Sequence, residues 1–369
     1  MSNYLISALS LGAITAILVM GLNVRWGWAG QLDLAYYAFV ALGAYFGAAL
    51  ELPPSQEPNG SGWILGLHLP FVVALIGATV LSAAVSALVG ALALRKLRGE
   101  YLAIVTVSFV YIAAAILSQE KSLFNGFNGV YGLVPPLRTS LGVSPRTYSI
   151  LFLVFLLLML LLVYLLLEAL YKSPFGRTLR MIREDQVVAA AFGRNVYRQQ
   201  MKAYVIGGAC AGFGGMLLAV WLSAFNPYAW STTETILLYT AIFIGGQGNA
   251  RGILIGTVIA LVVIPQASLF LPTIPGHSDL WPAMRSGLSG ILIILALRFR
   301  PQGILREPKF RDLARAEPAT AEGLATAGGL AAGEGPAAPA AHRWRAPAAR
   351  SGDTALPLLE VRGLAKSYG

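Results

Sequence analysis

The sequence is poor in the residues that soluble chemistry most often uses. Of 369 residues one is cysteine, Cys210, which excludes a disulfide framework and a cysteine-based metal site. His68, His277 and His342 are too scattered along the chain to suggest a metal motif by spacing. Charge is scarce too: 12% of residues are charged, against about a quarter in a soluble domain. No G-x-x-x-x-G-K-[ST], H-E-x-x-H or G-x-S-x-G occurs, and no carboxylates cluster in the apolar runs. These residues therefore cannot hydrolyse ATP unaided, and the sequence speaks against a membrane-embedded enzyme.

Hydrophobic residues are abundant, at 56%. A helix rising about 1.5 Å per residue needs roughly 20 apolar residues to cross a hydrocarbon core of about 30 Å. Runs of this kind cover Tyr4 to Leu22, Trp28 to Leu50, Leu69 to Leu94, Tyr101 to Ser118, Tyr148 to Leu167, Ala203 to Ser223, Thr235 to Gly245, Gly252 to Leu271 and Gly287 to Leu297. They predict an all-α polytopic membrane protein with about nine transmembrane helices, the seventh of them short. The opening run lacks a positive n-region and an A-x-A-like site, so it is read as the first span and not as a signal peptide.

The net charge of +10 is explained by where the cations fall, without nucleic acid. Arg25, the Arg95–Lys96–Arg98 group, the six cations from Lys172 to Arg198, Arg251 and the group from Arg298 to Arg315 fall in alternate loops, on one side. The loops Glu51 to Gly62, Ala224 to Thr233 and Pro272 to Trp281 contain no Lys or Arg, and Gln119 to Thr147 carries a few. By the positive-inside rule the N-terminus is outside and the C-terminus cytoplasmic, which requires an odd number of spans.

Two apolar stretches are interrupted by Gly and polar residues, Asn23 to Asp33 (NVRWGWAGQLD) and Gly245 to Gly252 (GGQGNARG). Broken helices there must be buried in protein or line an aqueous path, and paired interruptions point towards a translocation route. Ordinary Gly-rich loops are the competing reading. Asp33 is either a functional intramembrane acid or a partner for Arg25 or a helix end. Tyr36, Tyr37 and Tyr45 either line a path or serve packing and the interface. Glu234 fits a first-turn helix acid.

Tyr171 to Gln200 is unusually long and charged for a loop. Ser173 or Pro174 starts a predicted helix on which Phe175, Leu179, Ile182 and Ala189 recur at helical spacing, and Gly193 ends it. Such a helix either anchors in lipid headgroups or docks a cytoplasmic subunit. Beyond Pro301 the composition shifts. Residues 316–357 read as a flexible Ala/Gly/Pro-rich linker after a membrane domain of residues 1–315, and residues 358–369 (LLEVRGLAKSYG) begin a strand-like alternation expected to open another domain.

Several motifs occur together in order: GQLDLAYYAFVALGAY (30–45), LRGEYLAIVT (97–106), NGFNGVYGL (125–133), SPFGRTLRMIRED (173–185), GGQGNARG (245–252) and RPQGIL (300–305). Over nearly all of residues 1–310 the chain resembles the LivM-type permeases of branched-chain amino acid ABC importers. The resemblance implies an inner-membrane permease working by alternating access. Its ATPase-coupling helix would contain Phe175, Gly176, Arg177, Leu179, Arg180, Arg183, Glu184, Asp185 and Gly193. Gln31, Asp33, Tyr37, Asn125, Asn128, Gly245, Gly246 and Gly248 are the implied candidates for the translocation path.

The partners it implies are an ABC ATPase, a second permease subunit of LivH type and a periplasmic or lipid-anchored substrate-binding protein meeting Asn125 to Tyr131 and Asn226 to Tyr228. No cofactor is expected in these residues; ATP and Mg belong to the ATPase. Residues 358–369 resemble the first strand of that ATPase, with Tyr368 where an adenine-stacking aromatic often stands. Permeases for urea or short amides are similar, and a passive channel is the alternative of another class.

Overall fold

The computed structural model describes residues 2–53, 66–95, 99–133, 135–136, 144–263, 291, 294, 298 and 303–305, all within the unit Met1–Lys309. The expected linker (316–357) and ATPase-like strand (358–369) lie outside these residues, as does most of the last expected span, Gly287 to Leu297.

Among the described residues the regular elements are helices, apart from one two-stranded ribbon. Helix α1 (Ser2–Asn23) runs into a π-helical turn at Val24–Trp28, and the chain is then non-helical until α2 (Tyr36–Glu51). Next come α3 (Phe71–Ala93), α4 (Gly99–Gln119), the single turn α5 (Lys121–Phe124) and strand β1 (Val130–Tyr131). Helix α6 (Pro145–Lys172) is followed by α7 (Pro174–Glu184), α8 (Gln186–Ala191) and α9 (Val196–Leu222). Strand β2 (Ala224–Phe225), α10 (Thr232–Gly245) and α11 (Ala250–Thr257), the last continued by a π-helical turn at Val258–Val263, complete the described elements.

Among the described residues five helices are long and apolar enough to cross a membrane, six if the bent pair α10–α11 counts as one span. The second expected span is shorter than its apolar run, because helix begins only at Tyr36 and α2 has 16 residues. The chain is thus a multi-pass membrane protein. Its longest apolar helix, α6, buries only 11% of its most apolar window. Side chains such as Leu158, Leu162 and Leu166 point outward, an apolar surface suited to lipid or to a neighbouring membrane helix.

The core lies where α9 packs against α1, α2 and α3. Without a hydrophobic drive in lipid, helices associate by close packing of small residues. Gly43 of α2 meets Gly212 of α9 so closely that a Cβ on Gly43 would overlap the Gly212 backbone. Helix ends follow their caps: Ser144 accepts from Thr147 N with Pro145 at the first position of α6, and Asn195 accepts from Arg198 N at 3.0 Å to start α9.

Candidate functional site

Of the expected interruption at Asn23 to Asp33, the first part stays helical as the π-helical turn Val24–Trp28 and the chain leaves the helix only from Ala29 to Ala35, where side chains of two other helices satisfy its backbone. The Leu34 amide donates to Thr106 Oγ1 of α4 at 3.2 Å, and the Tyr37 amide to Thr235 Oγ1 of α10 at 3.2 Å. Asp33 exchanges two bonds with the Tyr239 hydroxyl, its amide donating at 3.1 Å and its carbonyl accepting at 3.1 Å. Freed backbone groups inside a membrane bundle need such partners, and Thr and Tyr supply them.

Arg25 occupies the centre of this region. Its guanidinium pairs with the Asp33 carboxylate, donates to Ser86 Oγ of α3 at 2.8 Å and, through Nε, to the Tyr204 carbonyl of α9 at 3.1 Å. It also lies 3.9 Å from the Tyr204 ring centroid and 4.6 Å from that of Phe39. Gly207 and Gly208 make the room: a Cβ on Gly207 would come 2.5 Å from Arg25 Nε, and one on Gly208 2.9 Å from Nη2. Counting Arg25 as a loop cation was therefore wrong; its side chain has no exposure and marks no face of the membrane. Asp33 is a partner for Arg25 and, through the Ala35 amide, a carboxylate at the start of α2.

The second break lies between α10 and α11, which meet at a bend of 120°. Gly246 and Gly248 have φ of +113° and +79°, conformations that favour glycine, and Asn249 caps α11 by accepting from Arg251 N at 3.1 Å. The Ile304 and Leu305 amides donate to the Ile244 and Gly245 carbonyls at 2.9 and 3.1 Å. The two breaks touch, since Asn23 Oδ1 accepts from Gly248 N at 3.0 Å.

The single helix expected over Ser173 to Gly193 is two. Asp185 is extended, at φ −154° and ψ 116°, and its carboxylate accepts from Val187 N at 2.7 Å and Val188 N at 3.1 Å, capping α8 as it ends α7. A carboxylate that caps so readily stops one helix by starting the next. Leu179, Ile182 and Ala189 are buried, Phe175 is half-buried, and Gly176 packs on the Tyr171 backbone. Arg177 and Glu184 are exposed. Arg180 lies over the Tyr171 ring, and Arg183 donates to the Gly27 carbonyl and pairs with Glu184 at 3.0 Å. Gly193, at φ +73°, closes α8. Val187 (79% exposed) and Phe192 (73%) stand out into solvent.

At the other end of α4, β1 and β2 pair antiparallel, with Val130 opposite Phe225 and Tyr131 opposite Ala224. Phe127 stacks on Tyr228 at 5.9 Å, so the loops around Asn125 to Tyr131 and Asn226 to Tyr228 form one surface. Asn125, buried at φ +61°, donates to the Gly129 carbonyl at 2.9 Å, whereas Asn128 is exposed. Gln31 is buried and donates to the Gln200 carbonyl at 3.0 Å; Tyr37 packs against Trp230 at 5.7 Å. The path candidates thus lie along the segment from the first break to the start of α2, at the second break that touches it, and in the loop around Asn125 to Tyr131.

The bundle with two touching breaks is that of a multi-pass membrane protein, and no group of three or more His, Cys, Asp or Glu able to hold a metal occurs among the described residues. The chain belongs to the family of branched-chain amino acid transport system permease components, whose model matches residues 4–297. It is 29% identical to the high-affinity branched-chain amino acid transport system permease protein LivM of Salmonella typhimurium, over 79% of this chain and 68% of that protein. It is 27% identical to the probable LivM permease of Methanocaldococcus jannaschii, over 75% and 81%. Against the LivH permease of Escherichia coli identity is 24% over 82% of this chain and 94% of that one. No solved structure matches.

Proposed function

We propose that the chain is the permease subunit of an ATP-driven importer that moves branched-chain amino acids across the inner membrane by alternating access. Its partners are an ABC ATPase, a second permease subunit of LivH type and an external substrate-binding protein. The observation that carries the reading is the α7–α8 hairpin: a helix of six residues, capped by Asp185, holds Val187, Val188 and Phe192 outward where no lipid-spanning role needs them. An exposed apolar tip on a well-anchored base fits a docking knob for a soluble subunit.

In this reading the hairpin faces the cytoplasm, the N-terminus lies outside, and the odd number of spans reaches nine. Phe127, Asn128 and Tyr228 then face the binding protein. ATP and Mg act at the ATPase, whose first strand residues 358–369 resemble. Labelled leucine and urea uptake, measured in cells with and without the chain, test the substrate. Leucine uptake should be lost with the chain; unchanged leucine uptake with lost urea uptake would sink the amino-acid assignment.

A further inference from the structure

Three segments distant in sequence meet at Gly27. Its carbonyl, one of the orphans that a helix end leaves, accepts from Arg183 of α7. A Cβ at Gly27 would collide with the Asn23 carboxamide and lie 2.8 Å from Gly248 N, the two groups that bond to each other. Hairpin, π-helical turn and Gly-rich break therefore share one backbone position, and glycine is what lets them close on it. Arg25, with its ion pair to Asp33, is two residues away.

Arg183 itself is turned inward. Its side chain is 17% exposed beside a Glu184 that is 76% exposed. Its stem lies against Gly30, at φ +68°, where a Cβ would come 3.1 Å from Arg183 Cγ. A residue serving a docked partner would present its guanidinium outward; this one gives Nη1 to the Gly27 carbonyl and Nη2 to the neighbouring Glu184.

We infer that Arg183 is a positioning residue of the transport cycle: it fixes the docking hairpin to the π-helical turn, so that a displacement of α8 moves Gly27 and with it the ends of both broken helices. This rests on the reading of the hairpin as an ATPase-docking element. A π-helical turn carries a surplus residue in the ladder, and such turns recur at functional sites. A strut of one charge-assisted hydrogen bond suits the link, because the carbonyl it holds has no helical donor to return to.

The test uses wild type, Arg183→Met and Arg183→Lys, each as the complex with the ATPase that co-purifies with the wild-type chain. Labelled leucine taken up by vesicles per ATP hydrolysed is compared with the amount of ATPase recovered. Arg183→Met should recover ATPase as the wild type does while uptake per ATP falls about tenfold, the scale of one lost charge-assisted bond. Arg183→Lys, which keeps a donor, should lie between. ATPase recovery falling in step with uptake makes Arg183 a docking contact and overturns the inference, as does unchanged uptake per ATP.

Hydrogen exchange on the chain alone in detergent separates the two readings. Amides of residues 24–35 should exchange faster in Arg183→Lys than in wild type, with residues 186–192 unchanged; no change at 24–35 overturns the strut even where Arg183→Met fails to accumulate. A wild-type chain that recovers no ATPase defeats the docking reading, and the exchange result still decides the strut.

Discussion

Arg25 and Asp33, eight residues apart, form an ion pair in which neither side chain touches solvent. The pair spans the first break, from the π-helical turn to the segment leading into α2. Both members are further tied: the guanidinium to Ser86 and the Tyr204 carbonyl, the carboxylate to the Ala35 amide at 2.9 Å. These bonds join the π-helical turn, the segment before α2, α3 and α9 through one buried pair.

Removing one partner leaves an uncompensated buried charge, at a cost of about 3–5 kcal/mol, whereas replacing both by apolar groups of similar volume is often near neutral. Arg25→Met and Asp33→Leu alone should each lose most of their folded protein in detergent on heating. The double variant should recover a large part of the loss. Monodisperse protein surviving a temperature ramp measures it, and a double variant no better than either single would show that the pair is not the unit.

Much of this arrangement was legible in the sequence, for stated reasons. Gly and polar residues inside Asn23 to Asp33 and Gly245 to Gly252 marked both breaks, although helix carries on through Trp28 before the first of them opens. Pro174 and Gly193 bounded the hairpin correctly. Asp185 did not read as a boundary, because apolar spacing carries through it and its capping depends on an extended backbone. Arg25 was harder: among loop-like neighbours it looked like one more cation, and its burial depends on Gly207 and Gly208, about 180 residues away in the chain. Contacts across that separation leave no local pattern. The adjacent glycines in α9 were the available sign, since paired glycines in an apolar helix mark close approach.

Those glycines carry their own prediction. A methyl at Gly207 would have to displace the Arg25 side chain, which lies 2.5 Å from the Cβ position and is locked by Asp33. Overpacking of this kind costs about 1–3 kcal/mol. Gly207→Ala should lower the melting temperature in detergent, and in an Arg25→Met/Asp33→Leu background the same substitution should cost much less. Equal losses in both backgrounds would place the strain elsewhere.

The proposed docking tip separates fold from function most cleanly. Val187 and Phe192 are largely exposed, so replacing them removes little buried area and should leave the stability within about 0.5 kcal/mol of wild type. If the tip docks as proposed, Val187→Asp and Phe192→Ser should nonetheless abolish recovery of the ATPase, because a charge or hydroxyl would replace the apolar surface offered to it. Asp185→Ala tests the same surface from beneath. It removes the acceptor for two amides of α8, at about 1 kcal/mol for a lost cap, and a helix of six residues has little else to hold it. ATPase recovery should fall in this variant although no contacting side chain has changed. Normal recovery from all three variants would remove the hairpin tip from the interface.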